Sequence, residues 1–396
     1  MNITCPNCGA PLVYDVETDQ MKCSYCDQNT NRTVGTPPHI NAADETTTVS
    51  SHVTPDMDNM EMNIYHCSSC GADLLAGKTQ AATFCSYCGS PSIVFERVSK
   101  EAKPNKIIPF KLTEQQALDC IKDRFGYGHY IPPQIKQLTP EKVRAIYIPY
   151  WLYTAYARKN MTLAGSTNGH SHTHYRDVSC AYNNLAFDAS LRLSNDLSKR
   201  LEPFFMNELT DFDISYLSGF YADRYDVPYD TFEGKVKSYC KEQLDQVISR
   251  SCPDTDYRLG PDGITGYKEH IIKEEYRLQN ISYALLPAYF VNVQYNKEKE
   301  LILVNGQTGK VVGDLPFEKG QFLRLLFKNF ILSSIIFSLL SIDFLTVPKL
   351  APVLMLPVAA AGISLFNGIR KYKQYKMERL QLRSRHMVSY VNRTEE

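Results

Sequence analysis

No excess of either charge marks this 396-residue chain: 43 Lys and Arg stand against 43 Asp and Glu. That balance supplies no global basic field for a nucleic-acid backbone. The opening MNITCPNCGA has neither a basic stretch nor an apolar core, so no secretory signal peptide is expected there. A complete phosphate loop is also lacking. GADLLAGKT (71–79) places five residues between Gly71 and Gly77, where wrapping a phosphate requires four. GQTGK (306–310) is misspaced as well. With no His-Glu-x-x-His and no nucleophile elbow, nothing points to an enzyme.

What the chain does have is cysteine in order. Of 12 cysteines, eight fall in Cys-x-x-Cys pairs. Cys5-x2-Cys8-x14-Cys23-x2-Cys26 recurs as Cys67-x2-Cys70-x14-Cys85-x2-Cys88 with identical spacing. CPNCGAPL parallels CSSCGADL, and KCSYCD parallels FCSYCG. Two tight turns that bring four thiolates together suit tetrahedral zinc, and fourteen residues suffice for a hairpin between them. Two structural zinc ions are therefore expected, each closed by four cysteines, in a reducing compartment. The residue after each pair should take positive φ, which Gly9, Gly71 and Gly89 meet readily and Asp27 tolerates.

The expected organisation is α+β. Residues 1–28 form zinc ribbon 1, 29–63 a flexible acidic linker poor in large apolar residues, and 64–98 zinc ribbon 2. Residues 1–63 carry only Lys22 and Arg32 against nine carboxylates. Residues 104–318 form a mixed α+β domain. Within it a strand is predicted at Ile107–Phe110, a helix capped by Thr113 and running to Phe125, and long strands at Val143–Ala157 and His172–Phe187. An amphipathic helix spans Thr231–Arg250, with Val236, Tyr239, Cys240, Leu244, Val247 and Ile248 on one face. A β-meander then fills 268–314, with turns at Asn305-Gly306 and Thr308-Gly309. Ile148-Pro149-Tyr150-Trp151 echoes Leu286-Pro287-Ala288-Tyr289-Phe290, a hint of two related halves. Tyr147, Tyr150, Tyr153 and Tyr156 read as a packed β surface. His170, His172 and His174 share a strand face. With Asp177 or Cys180 they offer a metal site, weighed against the more ordinary polar face. Cys120, Cys180 and Cys240 read as core thiols.

Two apolar runs follow, 325–347 and 350–369, each long enough to cross a hydrocarbon core of about 30 Å as a helix. Residues 370–396 form a basic tail, in which 370–385 hold seven Lys or Arg and only Glu378. That charge beside the second run, with Lys319, Arg324 and Lys328 beside the first, predicts a membrane hairpin with both termini cytoplasmic. The tail would also meet anionic membrane lipids.

CPNCGAPLVYD, KCSYC, KIIPFKLTEQQAL, IYIPYWLY and NGQTGKVVGDLP together resemble bacterial membrane proteins with TFIIB-type zinc ribbons, often labelled primosomal helicase-like. The resemblance covers most of the chain, although the cysteine module here occurs twice. It implies association with PspA-like phage-shock proteins or SPFH-domain (flotillin-like) proteins of envelope-stress systems. The expected function is a membrane-anchored zinc-ribbon scaffold that recruits cytosolic partners. The alternative is a membrane-tethered nucleic-acid-binding regulator, against which the acidic N-terminal region argues.

Overall fold

The computed structural model describes residues 4–31, 53–77, 82, 84–125, 137–139, 142–167, 170–193, 195–250, 258–260, 263–265, 268–295 and 298–313, together with 320, 324, 327, 328, 331 and 370. The chain is a mixed α+β protein. Ribbon 1 supplies β1 (Leu12–Asp15), β2 (Gln20–Cys23) and β3 (Asn29–Thr30), which form their own small sheet. Then come β4 (Asn59–Cys67), β5 (Asp73–Ala76), β6 (Ile93–Ala102), β7 (Lys106–Ile107), α1 (Glu114–Phe125), β8 (Val143–Thr167) and β9 (His170–Asp188). After these lie α2 (Asn195–Leu201), β10 (Thr210–Asp211), β11 (Tyr221–Asp223), α3 (Glu233–Arg250), β12 (Arg258–Gly260) and β13 (Gly263–Thr265). The order closes with β14 (Lys268–Tyr295), β15 (Glu298–Asn305) and β16 (Val311–Gly313).

One 11-stranded sheet organises the molecule, in the order β10-β7-β14-β8-β11-β5-β4-β6, with β9 on β8, β15 on β14 and β16 on β15. Side chains alternate faces along its central strands, as the two-residue period requires. Tyr147, Trp151, Tyr153, Tyr283, Leu285 and Tyr289 enter one core with α1 and α3. Ile148, Tyr150, Leu152, Leu286 and Phe290 enter the other with α2. Trp151, fully buried, donates its indole N–H to the carbonyl of Val227 at 2.8 Å.

The faint proline echo marks a structural duplication. The units β7-α1-β8-β9 and β11-α3-β14-β15 have the same order of elements, apart from the β12-β13 hairpin inserted between α3 and β14. Their long strands pair antiparallel, with Ile148 opposite Leu286, and each short first strand pairs parallel with the other unit's long strand. Ala222 faces Tyr147, and Ile107 faces Leu285. Proline in a central strand is unusual because it donates nothing to the ladder. Here Pro149 sits where the neighbour of β8 changes from β11 to β9, and Pro287 where that of β14 changes from β7 to β15. No ladder donor is required at such a junction. The two proline carbonyls accept the amides of Ala189 and Gly306, each at 2.9 Å. Asp188 and Asn305 then accept the amides of Ser190 and Gln307, again at 2.9 Å.

Gly306 is required by close approach. An added Cβ would lie 2.6 Å from Phe110 and 2.9 Å from Pro287, inside a cluster where Phe110 stacks on Phe220 at 4.8 Å. Gly306→Ala is expected to destabilise by about 1–3 kcal/mol through overpacking. Equilibrium urea unfolding checks this; a midpoint equal to wild type would mean the turn relaxes freely.

Local expectations compare closely. Thr113 and Gln116 cap α1 reciprocally: the Gln116 amide donates to Thr113 Oγ1 at 3.3 Å and the Thr113 amide to Gln116 Oε1 at 2.9 Å. On α3 the buried stripe is Val236, Cys240, Leu244 and Ile248, whereas Tyr239 and Val247, expected beside them, are each 41% exposed. Tyr239 lies at the edge of the contact, its ring 6.0 Å from that of Tyr182 on β9. Tyr147, Tyr150 and Tyr153 are buried as expected. The expected 29–63 linker is ordered at both ends. Asn29–Thr30 pairs with β2, Val53 and Met57 pack on the core, and β4 begins at Asn59. Residues 32–52 lie outside the described residues.

The expected hairpin also lies outside the described residues, apart from Phe327, Lys328 and Ile331, which are helical and exposed. No described helix is long and apolar enough to cross a membrane.

Candidate metal centres

Each ribbon turns its cysteines inward by the same local device. The amides of Gly9, Asp27, Gly71 and Gly89 donate to the carbonyls of Cys5, Cys23, Cys67 and Cys85, at 2.8 to 3.0 Å. All four donors have positive φ: 73°, 55°, 71° and 74°. This is the conformation the glycines permit and Asp27 tolerates. The first cysteine of each pair is buried, while Cys8, Cys26 and Cys70 are exposed and Cys88 is half-buried.

The eight predicted ligands gather into two sets, Cys5, Cys8, Cys23 and Cys26, and Cys67, Cys70, Cys85 and Cys88. Sulfur–sulfur separations are 3.6 Å for Cys5–Cys26, 3.4 Å for Cys8–Cys23, 3.6 Å for Cys67–Cys88 and 3.7 Å for Cys70–Cys85. A tetrahedron with metal–sulfur bonds of about 2.3 Å has edges of about 3.8 Å, so the donors fit one metal ion per set.

The electrostatics favour the same occupant. The amides of Cys26 and Tyr25 bring the Cys23 thiol down to about 6. Burial pushes Cys67 up, but the amides of Cys70 and Ser69 outweigh it and leave the thiol at about 7. Burial and the sulfurs of Cys88 and Cys67 push Cys70 up to about 11. Some sulfurs in each set ionise readily, whereas their neighbours resist a second negative charge; a divalent cation removes that conflict. Arg144 adds positive charge beside the second set, its guanidinium 4.1 Å from the Phe84 ring centroid and close to Cys85 and Cys88.

Ribbon 2 is fused to the body. β5 pairs with β11 through Leu75–Ala222 and Leu74–Asp223, and β6, which crosses the expected boundary at residue 98, pairs with β4 along its length. Both cysteine turns are also gripped. Arg192 donates to the carbonyl of Gly71 at 2.7 Å, and Asn292 donates to that of Tyr87. The Tyr87 ring packs edge-on against Phe290 at 5.0 Å, and its hydroxyl donates to Asp223 at 2.5 Å. Ser190 donates to the same carboxylate oxygen at 2.6 Å, while Arg192 Nε lies 3.8 Å from the other. Asp223 is fully buried, and burial pushes its carboxyl up to about 7. Ribbon 1 docks more lightly. The Tyr14 amide donates to Ser218 at 2.9 Å, its ring meets Tyr216 at 5.2 Å, and Val13 lies where a Cβ on Gly219 would be.

Sequence reasoning did not single out Tyr87, Arg192, Asp223 or Asn292. The histidine metal site, weighed above against an ordinary polar strand face, gains no support. Asp177 is held by Arg158 in a two-pronged ion pair at 3.0 and 2.7 Å, and the side chains of His170 and His172 lie outside the described residues. His174 joins none of the candidate metal clusters among the described residues. Cys240 is buried and Cys120 and Cys180 are partly buried against the core, as expected of packing thiols. A third group, His66, Asp73 and Glu96, is exposed or half-buried at the surface.

The chain is 27% identical over 336 residues to the uncharacterized protein YdjG of Bacillus subtilis (strain 168), covering 80% of this chain and 90% of that protein. No protein-family profile matches the chain, and no solved structure matches it.

Proposed function

We propose that this protein is a membrane-anchored zinc-ribbon scaffold that recruits cytosolic protein partners, with zinc as the metal in both clusters. The observation that carries this reading is that every donor in both clusters is a cysteine. Such sites keep no open position for substrate or water and serve structure. Four thiolates at tetrahedral spacing favour zinc over hard cations. The apolar runs at 325–347 and 350–369, with their flanking positive charge, supply a hairpin anchor whose ends stay in the cytoplasm.

The two copies of Cys-Ser-Tyr-Cys support protein docking. In ribbon 2 this turn is a docking surface already in use, with Tyr87 driven into the body. In ribbon 1 the equivalent Tyr25 is 82% exposed. An exposed aromatic on a rigid metal-held turn is the kind of anchor that interfaces bury. The resemblance to zinc-ribbon membrane proteins points to PspA-like or SPFH-domain partners in an envelope-stress complex.

The experiment is fractionation and crosslinking of the full chain. It should resist alkaline extraction from membranes, and deletion of 325–369 should make it soluble. Tyr25→Ala should leave it in the membrane while abolishing its crosslinks to PspA-like or SPFH-domain proteins. Unchanged crosslinks in Tyr25→Ala would move docking away from ribbon 1. Salt-sensitive retention on DNA would favour the nucleic-acid regulator instead.

A further inference from the structure

A cavity of about 650 Å³ opens between the end of α1, the end of α2 and the turn from β15 to β16. Cys120, Asp123 and Arg124 come from α1, Arg200 from α2, Gly309 and Lys310 from the turn, and Val311 and Val312 from β16. Three cations from three elements thus face one space with a single carboxylate in its lining. Arg124 and Arg200 occupy last helical turns, where basic residues commonly offset the helix dipole. Lys310 also meets the C-terminal end of α2, but from outside the helix. It belongs to a β-turn and converges on the same space, held by a bond from its ammonium to the carbonyl of Glu202. Val311 and Val312 are buried in opposite cores, so the edge of β16 bounds the cavity between them. Gly309, at φ 74°, lets the turn close onto α1: a Cβ there would lie 3.0 Å from Cys120 Sγ.

We infer that this cavity binds a phosphate ester, with the phosphate held by Arg124, Arg200 and Lys310 and the organic part along the edge of β16. Its volume falls within the range of small-molecule sites and far exceeds a bare phosphate. Guanidinium groups pair with phosphate oxygens in two-pronged hydrogen bonds, and an ammonium adds a point charge. Either a soluble ester or a lipid headgroup carries this chemistry. The lipid source rests on the membrane reading above, since only twelve residues separate Val312 from Leu325. That span reaches at most about 45 Å.

The test uses the full chain in neutral detergent at constant ionic strength, following the thermal midpoint. The probes are glycerol 3-phosphate, glycerol, dihexanoyl phosphatidic acid and dihexanoyl phosphatidylcholine. A saturable rise with glycerol 3-phosphate but not glycerol supports a soluble ester. A rise with phosphatidic acid alone supports a lipid headgroup. Arg200→Gln and, independently, the exposed Lys310→Gln should each weaken the effective phosphate probe by about tenfold. If Arg200→Gln fails to fold, Lys310→Gln decides. No rise with glycerol 3-phosphate or phosphatidic acid, a rise with phosphatidylcholine equal to that with phosphatidic acid, or equal affinity in the variants overturns the site. Neither result bears on membrane retention, which fractionation measures separately.

Discussion

Cys67→Ser is expected to destabilise the whole central sheet, while Cys5→Ser loosens one docked lobe. The contrast follows from the two attachments. Cys67 ends β4, which pairs with both β5 and β6, and β5 continues the sheet into β11. Losing the metal there frees the turns that hold Tyr87 and Gly71 and exposes the partners of a fully buried carboxylate. Among the described residues ribbon 1 adds no strand to that sheet. It reaches the body through the Tyr14–Ser218 bond, a bond from the Ser218 hydroxyl to the Leu12 carbonyl, ring contacts to Tyr216 and Phe220, Val13 at Gly219, and apolar residues that join the edge of the main core. Structural zinc supplies about 10–16 kcal/mol to small ribbons, so losing one ligand of the second cluster should cost about 4 kcal/mol or more. The single tryptophan, Trp151, lies at the centre of the sheet and reports on it alone. Its fluorescence transition in denaturant should move strongly in Cys67→Ser and only slightly in Cys5→Ser. Equal shifts would mean that ribbon 2 is no more a part of the sheet than ribbon 1.

Asp223→Asn should change how stability depends on pH. The Asp223 carboxyl sits near 7 in the folded protein because burial disfavours its charge, with Asp226 adding repulsion. Hydrogen bonds from Ser190 and Tyr87 oppose this, and Arg192 at 3.8 Å helps them weakly. In the unfolded chain the carboxyl titrates near 3.9. Between these values the folded state binds the extra proton, so the contribution is full below about 4 and is lost as pH rises through about 7. The loss is on the order of 4 kcal/mol. Asparagine can still accept from Tyr87 without ionising, so the variant should lack this decline. The thiols contribute equally to both proteins. The informative quantity is therefore the difference in unfolding free energy between variant and wild type across pH 5 to 8. It should grow in favour of the variant as pH rises. Parallel curves would place the Asp223 carboxyl at an ordinary value.

The metal clusters were legible because their constraint is local: a Cys-x-x-Cys turn followed by a residue at positive φ is written in four or five adjacent positions. The capping of α1 by Thr113 and Gln116 and the turn chemistry of Asn305 to Gly309 were legible for the same reason. What escaped the sequence is set by distant partners. Tyr25 and Tyr87 occupy identical tetrapeptides, yet one is exposed and the other docks into the body, a choice made by Asp223 and Phe290. β7, β10 and β11 pair through two or three residues each, too few to carry a period. The ion pair of buried Lys159 with half-buried Asp245, at 2.8 Å, joins β8 to α3 across 86 residues and leaves no pattern in either. The proline echo was visible, but its meaning lay in the strand junctions that Pro149 and Pro287 occupy.

The central claim is that two closed, four-cysteine zinc sites build this scaffold, and native mass spectrometry of the purified full chain tests it most directly. Two zinc ions per chain are expected, falling to one in Cys67→Ser and one in Cys5→Ser. A single ion lost from both variants together, or iron in place of zinc, would contradict it.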